Sequence, residues 1–262
     1  MKHLALDALA QAELIRFFLV FARCIGILWF LPIFSVKQLP FQVRFAVSGF
    51  LAFLISQNLP EITPLTAMVP FVGALLSQVT IGVCFGFTAS FIFAGIQFAG
   101  ELIDTQVGFA IINVINPLTG TPVSVLGQLE ITLASLLFLL TDSHLMVIEG
   151  MAQSFQILPL PYAALNPALL TNLMGFFGTA LMIIFKIAAP VAVALLITDV
   201  AVGLLARVAP QVNVFIVALP AQLGIGLIMF ACALPIFGYV VPQAFAGLPA
   251  QLDVTMRSMR AR

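Results

Sequence analysis

Apolar residues come in long blocks along this chain, and short polar or proline-bearing stretches separate them. The blocks run Leu14–Phe34, Phe45–Leu59, Phe71–Ala99, Gln128–Thr141, His144–Ile157, Leu169–Val200 and Val212–Phe245. At about 20 residues for a helix that crosses a hydrocarbon core, plus connections, the chain is long enough for roughly six or seven crossings. Phe45–Leu59 is short for a span. Gln128–Thr141 and His144–Ile157 are each shorter than a span and are joined at Thr141-Asp142-Ser143, so they read as a helical hairpin that does not cross in the usual way. In the third block Gly82, Gly86, Ser90 and Ala94 recur every four residues. That places small residues on one helix face, a pattern that lets backbones approach closely in membranes.

The stretch GELIDTQVGFAIINVINPLTGTPVSVLG, from Gly100 to Gly127, departs from the pattern. It is apolar, yet four glycines loosen it, Pro117 and Pro122 lack amide donors, and Asn113 and Asn116 are polar. A broken backbone at membrane depth leaves N–H and C=O groups unpaired if it faces lipid. It is tolerated only inside protein or along a cavity. Two readings stand side by side: a pore-associated or re-entrant element, and a kinked helix followed by an ordinary loop. Phe109, Ile111, Ile112, Val114 and Ile115 form an apolar patch just before Asn116-Pro117.

Composition fixes the class. Hydrophobic residues make up 62% of the 262 and charged residues 8%, against about a quarter charged in soluble domains. The expected fold is all-α: a polytopic helical membrane protein with broken helices and helical hairpins. Net charge is zero, so no basic surface points to nucleic acid. Cys24, Cys84 and Cys232 lie in apolar runs and read as small buried residues. With only His3 and His144 and no Cys/His cluster, no metal site is expected. No nucleophile–base set or phosphate loop suggests an enzyme, and no cofactor is expected. The segment after Met1–Ala12 is too long for a cleaved signal and carries Arg16 and Arg23, so it is expected to be retained.

The few charges inside apolar blocks therefore stand out. Arg16 and Arg23 share a helix face, with Glu13 placed to pair with Arg16. Arg23 lies deep and reads as half of a structural ion pair in preference to a transport residue. Glu101 and Asp104, three apart, could relay protons; pairing with Arg23 or with a neighbouring subunit is the preferred reading. Lys186 sits four residues before Pro190, which removes a helix hydrogen bond and predicts a kink. A substrate or proton site and an inter-subunit ion pair are equally open there. Pro220, Pro235 and Pro242 interrupt the last block, and the tail carries Arg257, Arg260 and Arg262, suited to a headgroup surface or an acidic partner. Lys37, Arg44, Arg207 and the tail arginines cannot all be cytoplasmic with six plain crossings. Either a block fails to cross or the protein does not sit in the bilayer conventionally.

Four stretches in the same order carry a resemblance over nearly the whole chain: RCIGILWFLPIFSVKQLPFQVR from Arg23, GELIDTQVGFAIINVINP from Gly100, Asp142-Ser143-His144 with the later Leu158-Pro159 break, and ARVAPQVNVFIVALP from Ala206. The chain resembles the FliR family of flagellar export-gate membrane proteins, whose virulence relatives are called SctT. Where that family often has Asp before the focal proline, this chain has Asn116, so no carboxylate role carries over there.

The resemblance implies a FliP-like part, residues 1–165, followed by a FliQ-like hairpin and tail, residues 166–262. The proline-rich break near Asn166 suits that division. It implies a conical complex with FliP-like and FliQ-like subunits in the bacterial inner membrane at the flagellar basal body. FlhB-like and FlhA-like neighbours and unfolded export substrates are also implied. The family's channel plug maps onto about Gln106–Val125: Gln106, Gly108, Phe109, Ile112, Ile115, Asn116, Pro117 and Gly120 would form the plug or gate, with Gly108 and Gly120 as hinges. Arg23, Glu101, Asp104 and Lys186 would serve packing or relay. The competing class is a secondary transporter of a small solute or ion using Lys186 and the Glu101/Asp104 pair. The absence of a clear internal repeat speaks against it.

Overall fold

The computed structural model describes residues 2–31, 40–60, 67–109, 124–161, 168–211 and 213–260. Regular structure among them is all α-helical: α1 (Lys2–Phe30), α2 (Phe41–Gln57), α3 (Met68–Val107), α4 (Val125–Leu140), α5 (Ser143–Ile157), α6 (Ala168–Val208), α7 (Val214–Ala246) and α8 (Leu248–Ser258). Three stretches are long and apolar enough to cross a membrane: α3, α6, and Ile216–Ser258. The bent pair α4 and α5 makes a fourth if it counts as one span. The polytopic helical architecture expected from the sequence is thus present.

The long helices form because an apolar setting obliges backbone groups to pair within their own segment. Polar side chains inside α3 return to their own backbone: Thr80 donates to the Leu76 carbonyl, Thr88 to Cys84 and Ser90 to Phe87. Such bonds satisfy hydroxyls where water is absent. α3 therefore does not stop at Gly100. It continues for 40 residues, about 60 Å at 1.5 Å per residue, roughly twice the hydrocarbon thickness. The prolines of the last block likewise leave α7 as one helix of 33 residues. α6 runs through Pro190. Membrane helices accept prolines this way because neighbouring groups take over the freed carbonyls.

The chain folds into two compact units. The first comprises Met1–Phe91, His144–Phe177 and Gly247–Arg262. In it α1 and the first half of α3 cross at glycine. A Cβ at Gly86 would meet the Ile27 carbonyl oxygen at 2.5 Å, and one at Gly26 the Val79 carbonyl oxygen at 3.0 Å. A Cβ at Gly82 would overlap the Arg23 carbonyl. Of the four-residue stripe expected on this helix, Gly82 and Gly86 are buried, Ser90 is half-buried and Ala94 is exposed. The reason is that the buried face changes along the helix. α8, read from sequence as a basic tail, is a helix with Leu248, Leu252 and Met256 buried. It lies near Gly150, where an added Cβ would sit 3.5 Å from Leu252, and Thr88 and Thr255 share a 3.1 Å hydroxyl bond.

The second unit comprises Ile92–Ser143 and Gly178–Ala246. Its core holds Phe93, Phe138 and Phe245, each at most 1% exposed, with ring centroids 5.0–5.4 Å apart. Each such pair adds about 0.5–1.5 kcal/mol beyond area burial. Close approaches recur at glycine: a Cβ at Gly95 would meet the Ala180 carbonyl oxygen at 3.0 Å, and one at Gly100 would meet the Gly127 Cα at 2.5 Å. The helices gain little from being apolar when their surroundings are apolar too, so close backbone packing and hydrogen bonds hold such units together.

Cys24 is buried and Cys84 half-buried, but Cys232 is exposed on α7. The expectation that all three are buried fails for Cys232, because no described residue covers the face of α7 that carries it.

Candidate functional site

The break after α3 is local and has identifiable causes. Gly108 takes φ +96°, a conformation that side-chain-bearing residues rarely adopt. Its N–H and that of Phe109 both donate to the Asp104 carbonyl, at 3.2 and 3.1 Å. The helix is thereby closed at its C-terminal end. The end of α3 rests on α7: a Cβ at Gly226 would sit 2.6 Å from Val107 Cγ2, and one at Gly108 would be 3.1 Å from Leu219 Cδ1.

The chain is described again from Ser124, the N-cap of α4, whose hydroxyl accepts from the Gly127 N–H at 2.9 Å. The Ser124 hydroxyl donates its proton to Asp104 Oδ2. The Leu126 N–H donates to the same carboxylate, 3.1 and 3.2 Å from its two oxygens. Asp104 is 4% exposed. Its donors are a helix N-terminus and a hydroxyl, both suited to a carboxylate that water cannot reach. On α4, Glu130 is 1% exposed, lies within electrostatic range of Asp104, and has no partner for Oε2 among the described residues.

Of the gate residues expected from the sequence, Gln106 is exposed, while Gly108 and Phe109 are half-buried at the end of α3. Ile112, Ile115, Asn116, Pro117 and Gly120 lie outside the described residues. Glu101 and Asp104 share α3 but not their partners. Glu101 accepts from Gln97 Nε2 at 3.0 Å, one helical turn away. Asp104 binds the N-terminus of α4.

Arg23 has no carboxylate partner among the described residues, contrary to the ion pair expected. Fully buried, it donates from Nε to Gln78 Oε1 (2.7 Å), and from its two terminal nitrogens to Ser154 Oγ (3.0 Å) and the Leu158 carbonyl (2.9 Å). Its guanidinium carbon lies 4.0 Å above the Phe155 ring centre. Gln78 Nε2 in turn donates to the Pro161 carbonyl at 2.8 Å. Neutral acceptors and an aromatic face replace the anion because a planar fork of five donors can be satisfied by scattered oxygens. Arg16 likewise donates to the Leu59 carbonyl at 3.1 Å. Lys186 is exposed on α6 rather than enclosed.

Sequence reasoning missed Ser124, Glu130, Gln78 and Ser154. Ser124 had a local signal, a serine directly before an apolar run. The other three did not, since their roles depend on which helices meet. Among the described residues no three His, Cys, Asp or Glu side chains converge as a metal site requires.

The profile of a known family, Bacterial export proteins, family 1, matches residues 14–248. Flagellar biosynthetic protein FliR of Bacillus subtilis is 30% identical over 233 residues, 88% of this chain and 90% of that protein. FliR of Escherichia coli K12 is 28% identical over 214 residues, 82% of each. Surface presentation of antigens protein SpaR of Salmonella typhimurium is 27% identical over 209 residues, 80% of this chain and 79% of that one.

Proposed function

Because the chain belongs to the bacterial export proteins of family 1, within the FliR family, we propose that it helps form and plug the channel through which unfolded export substrates cross the inner membrane in flagellar export. At the coarser level it is a multi-pass membrane component of the flagellar or type III export apparatus. The finer reading places it in the inner membrane, in a hetero-oligomer with FliP-like and FliQ-like subunits beside FlhB-like and FlhA-like components. Residues 1–165 are the FliP-like part and 166–262 the FliQ-like hairpin.

One observation carries the plug reading. An apolar helix of 40 residues ends at a positive-φ glycine, and the chain returns to a helix whose first turn is bonded to the same aspartate. A segment held at both ends, with an apolar sequence between, is what a pore closure requires. In this role Phe109, Ile112 and Ile115 exclude water and ions, Gly108 and Gly120 are the hinges, and Asn116-Pro117 holds the bend. The exposed position of Lys186 favours a contact with another subunit over an enclosed solute site. The length of α3, about twice the hydrocarbon thickness, favours an assembly that extends beyond the bilayer plane.

The test has two parts. The tagged chain is co-expressed with its genomic neighbours, and the detergent-purified complex is weighed by native mass spectrometry. Residues 110–123 are then replaced by a Gly/Ser linker of equal length, and ion leak and protein secretion are measured in cells. A large complex whose linker variant leaks ions supports the reading. A monomer, or a linker variant with unchanged leak and secretion, overturns it.

A further inference from the structure

We propose that Asp104 is the positioning residue of the plug, clamping the point where the chain leaves α3 to the point where it enters α4. The inference rests on the plug reading and deepens it. The backbone carbonyl of Asp104 accepts from Gly108 and Phe109 on the leaving side. Its carboxylate accepts from Ser124 and Leu126 on the returning side, 20 and 22 residues along the chain. One residue thus ties both ends of the segment. Ser124 extends the clamp by capping Gly127 with the oxygen whose proton it gives to Asp104.

The surroundings leave the clamp little slack. Gly100 and Gly127 cross so closely that a Cβ on Gly100 would lie 2.5 Å from the Gly127 Cα, and one on Gly127 would be 3.2 Å from the Gln97 carbonyl oxygen. Val107 is fully buried, with its Cγ2 where a Cβ of Gly226 would come within 2.6 Å. A buried carboxylate whose bonds break has no water to turn to, so the clamp opens only by exposing unpaired donors and acceptors. Bonded in this way, Asp104 keeps the C-terminal end of α3 and the first turn of α4 together.

The experiment uses the purified export complex and cells carrying Asp104→Ala, Ser124→Ala, the double variant, or the 110–123 linker. Hydrogen exchange is followed by mass spectrometry on peptides spanning 124–130, and ion leak is measured in cells. Asp104→Ala is expected to speed exchange at the Leu126 and Gly127 amides at least tenfold and to raise ion leak, with the complex recovered in normal amount. Ser124→Ala is expected to raise leak less. The double variant should match Asp104→Ala, because Ser124 acts on the leaving end only through Asp104.

Unchanged exchange in Asp104→Ala overturns the proposal. So does faster exchange without leak when the linker variant leaks. If the linker variant itself does not leak, the plug reading is what fails. Should Asp104→Ala not assemble, Ser124→Ala decides: leak from an intact complex supports the clamp, and no leak overturns it.

Discussion

Gly82 lies so close to Arg23 that a side chain at Gly82 would overlap the Arg23 carbonyl oxygen, while the Arg23 guanidinium reaches away to Gln78, Ser154 and Leu158. The contact and the network depend on each other. Without the glycine, α1 and α3 stand further apart, and the Nε bond to Gln78 lengthens.

Gly82→Ala is therefore expected to destabilise the purified protein by about 1–3 kcal/mol, the range for overpacking a close contact. Gly203, whose added Cβ would meet nothing within 4 Å, is the control. There alanine should leave the chain unchanged or stabilise it by about 0.5–1 kcal/mol through helix preference. Thermal unfolding in detergent, read by tryptophan fluorescence, compares the two. Equal midpoints would remove the crossing as a stability determinant.

Arg23→Lys keeps the charge but loses the fork. Lysine cannot serve Gln78, Ser154 and Leu158 in one plane, and the face-on contact with Phe155 weakens. A loss of about 1–3 kcal/mol is expected from buried polar groups left unpaired. Gln78→Leu should cost a similar amount, and the double variant less than the sum, since both remove the same bond. Additive losses would show that the bond is not shared as described.

Gly108→Ala forces a Cβ onto a backbone at φ +96° and against Leu219. A strain of about 1–3 kcal/mol follows. The expected result is reduced protein secretion with normal assembly. Normal secretion would mean that the turn adopts another backbone conformation at no functional cost.

Lys186→Gln changes an exposed residue on α6, so the stability of the isolated chain is expected to stay within about 0.5 kcal/mol, as for ordinary surface changes. Recovery of the assembled complex with its partner subunits should fall, as expected when one half of an inter-subunit pair is lost. Native mass spectrometry of the co-purified complex distinguishes this from a fold defect. Full recovery would leave Lys186 without a packing role.

Much of the architecture is legible in the order of residues along the chain. Long runs without charge dictate helices, because backbone groups in an apolar setting must pair within their own segment. The break near residue 108 follows from glycine and proline chemistry. Local pattern puts its start at Gly100, eight residues early, because that glycine has the look of a helix breaker. In the fold Gly100 stays helical and serves the crossing with Gly127. A glycine's sequence context does not say whether its missing side chain is needed for a turn or for a neighbour.

The charged residues divide the same way. That Arg23 and Asp104 are buried and partnered follows from the cost of an isolated charge in an apolar medium. Which partners they take does not follow, because Gln78, Ser154 and Ser124 are ordinary residues 20 to 131 positions away along the chain. The C-terminal arginines suggest a basic end for a headgroup surface or an acidic partner, yet Leu248, Leu252 and Met256 bury the other face of the same segment as α8. By itself the sequence determined the class of protein, the approximate helices and, to within eight residues, the place where the long helix ends. These depend on local composition and backbone pairing. Tertiary structure alone decided which glycines face which helices, that Arg23 is held by neutral groups, and that Asp104 joins both sides of the break. Those depend on distances between segments that no local pattern encodes.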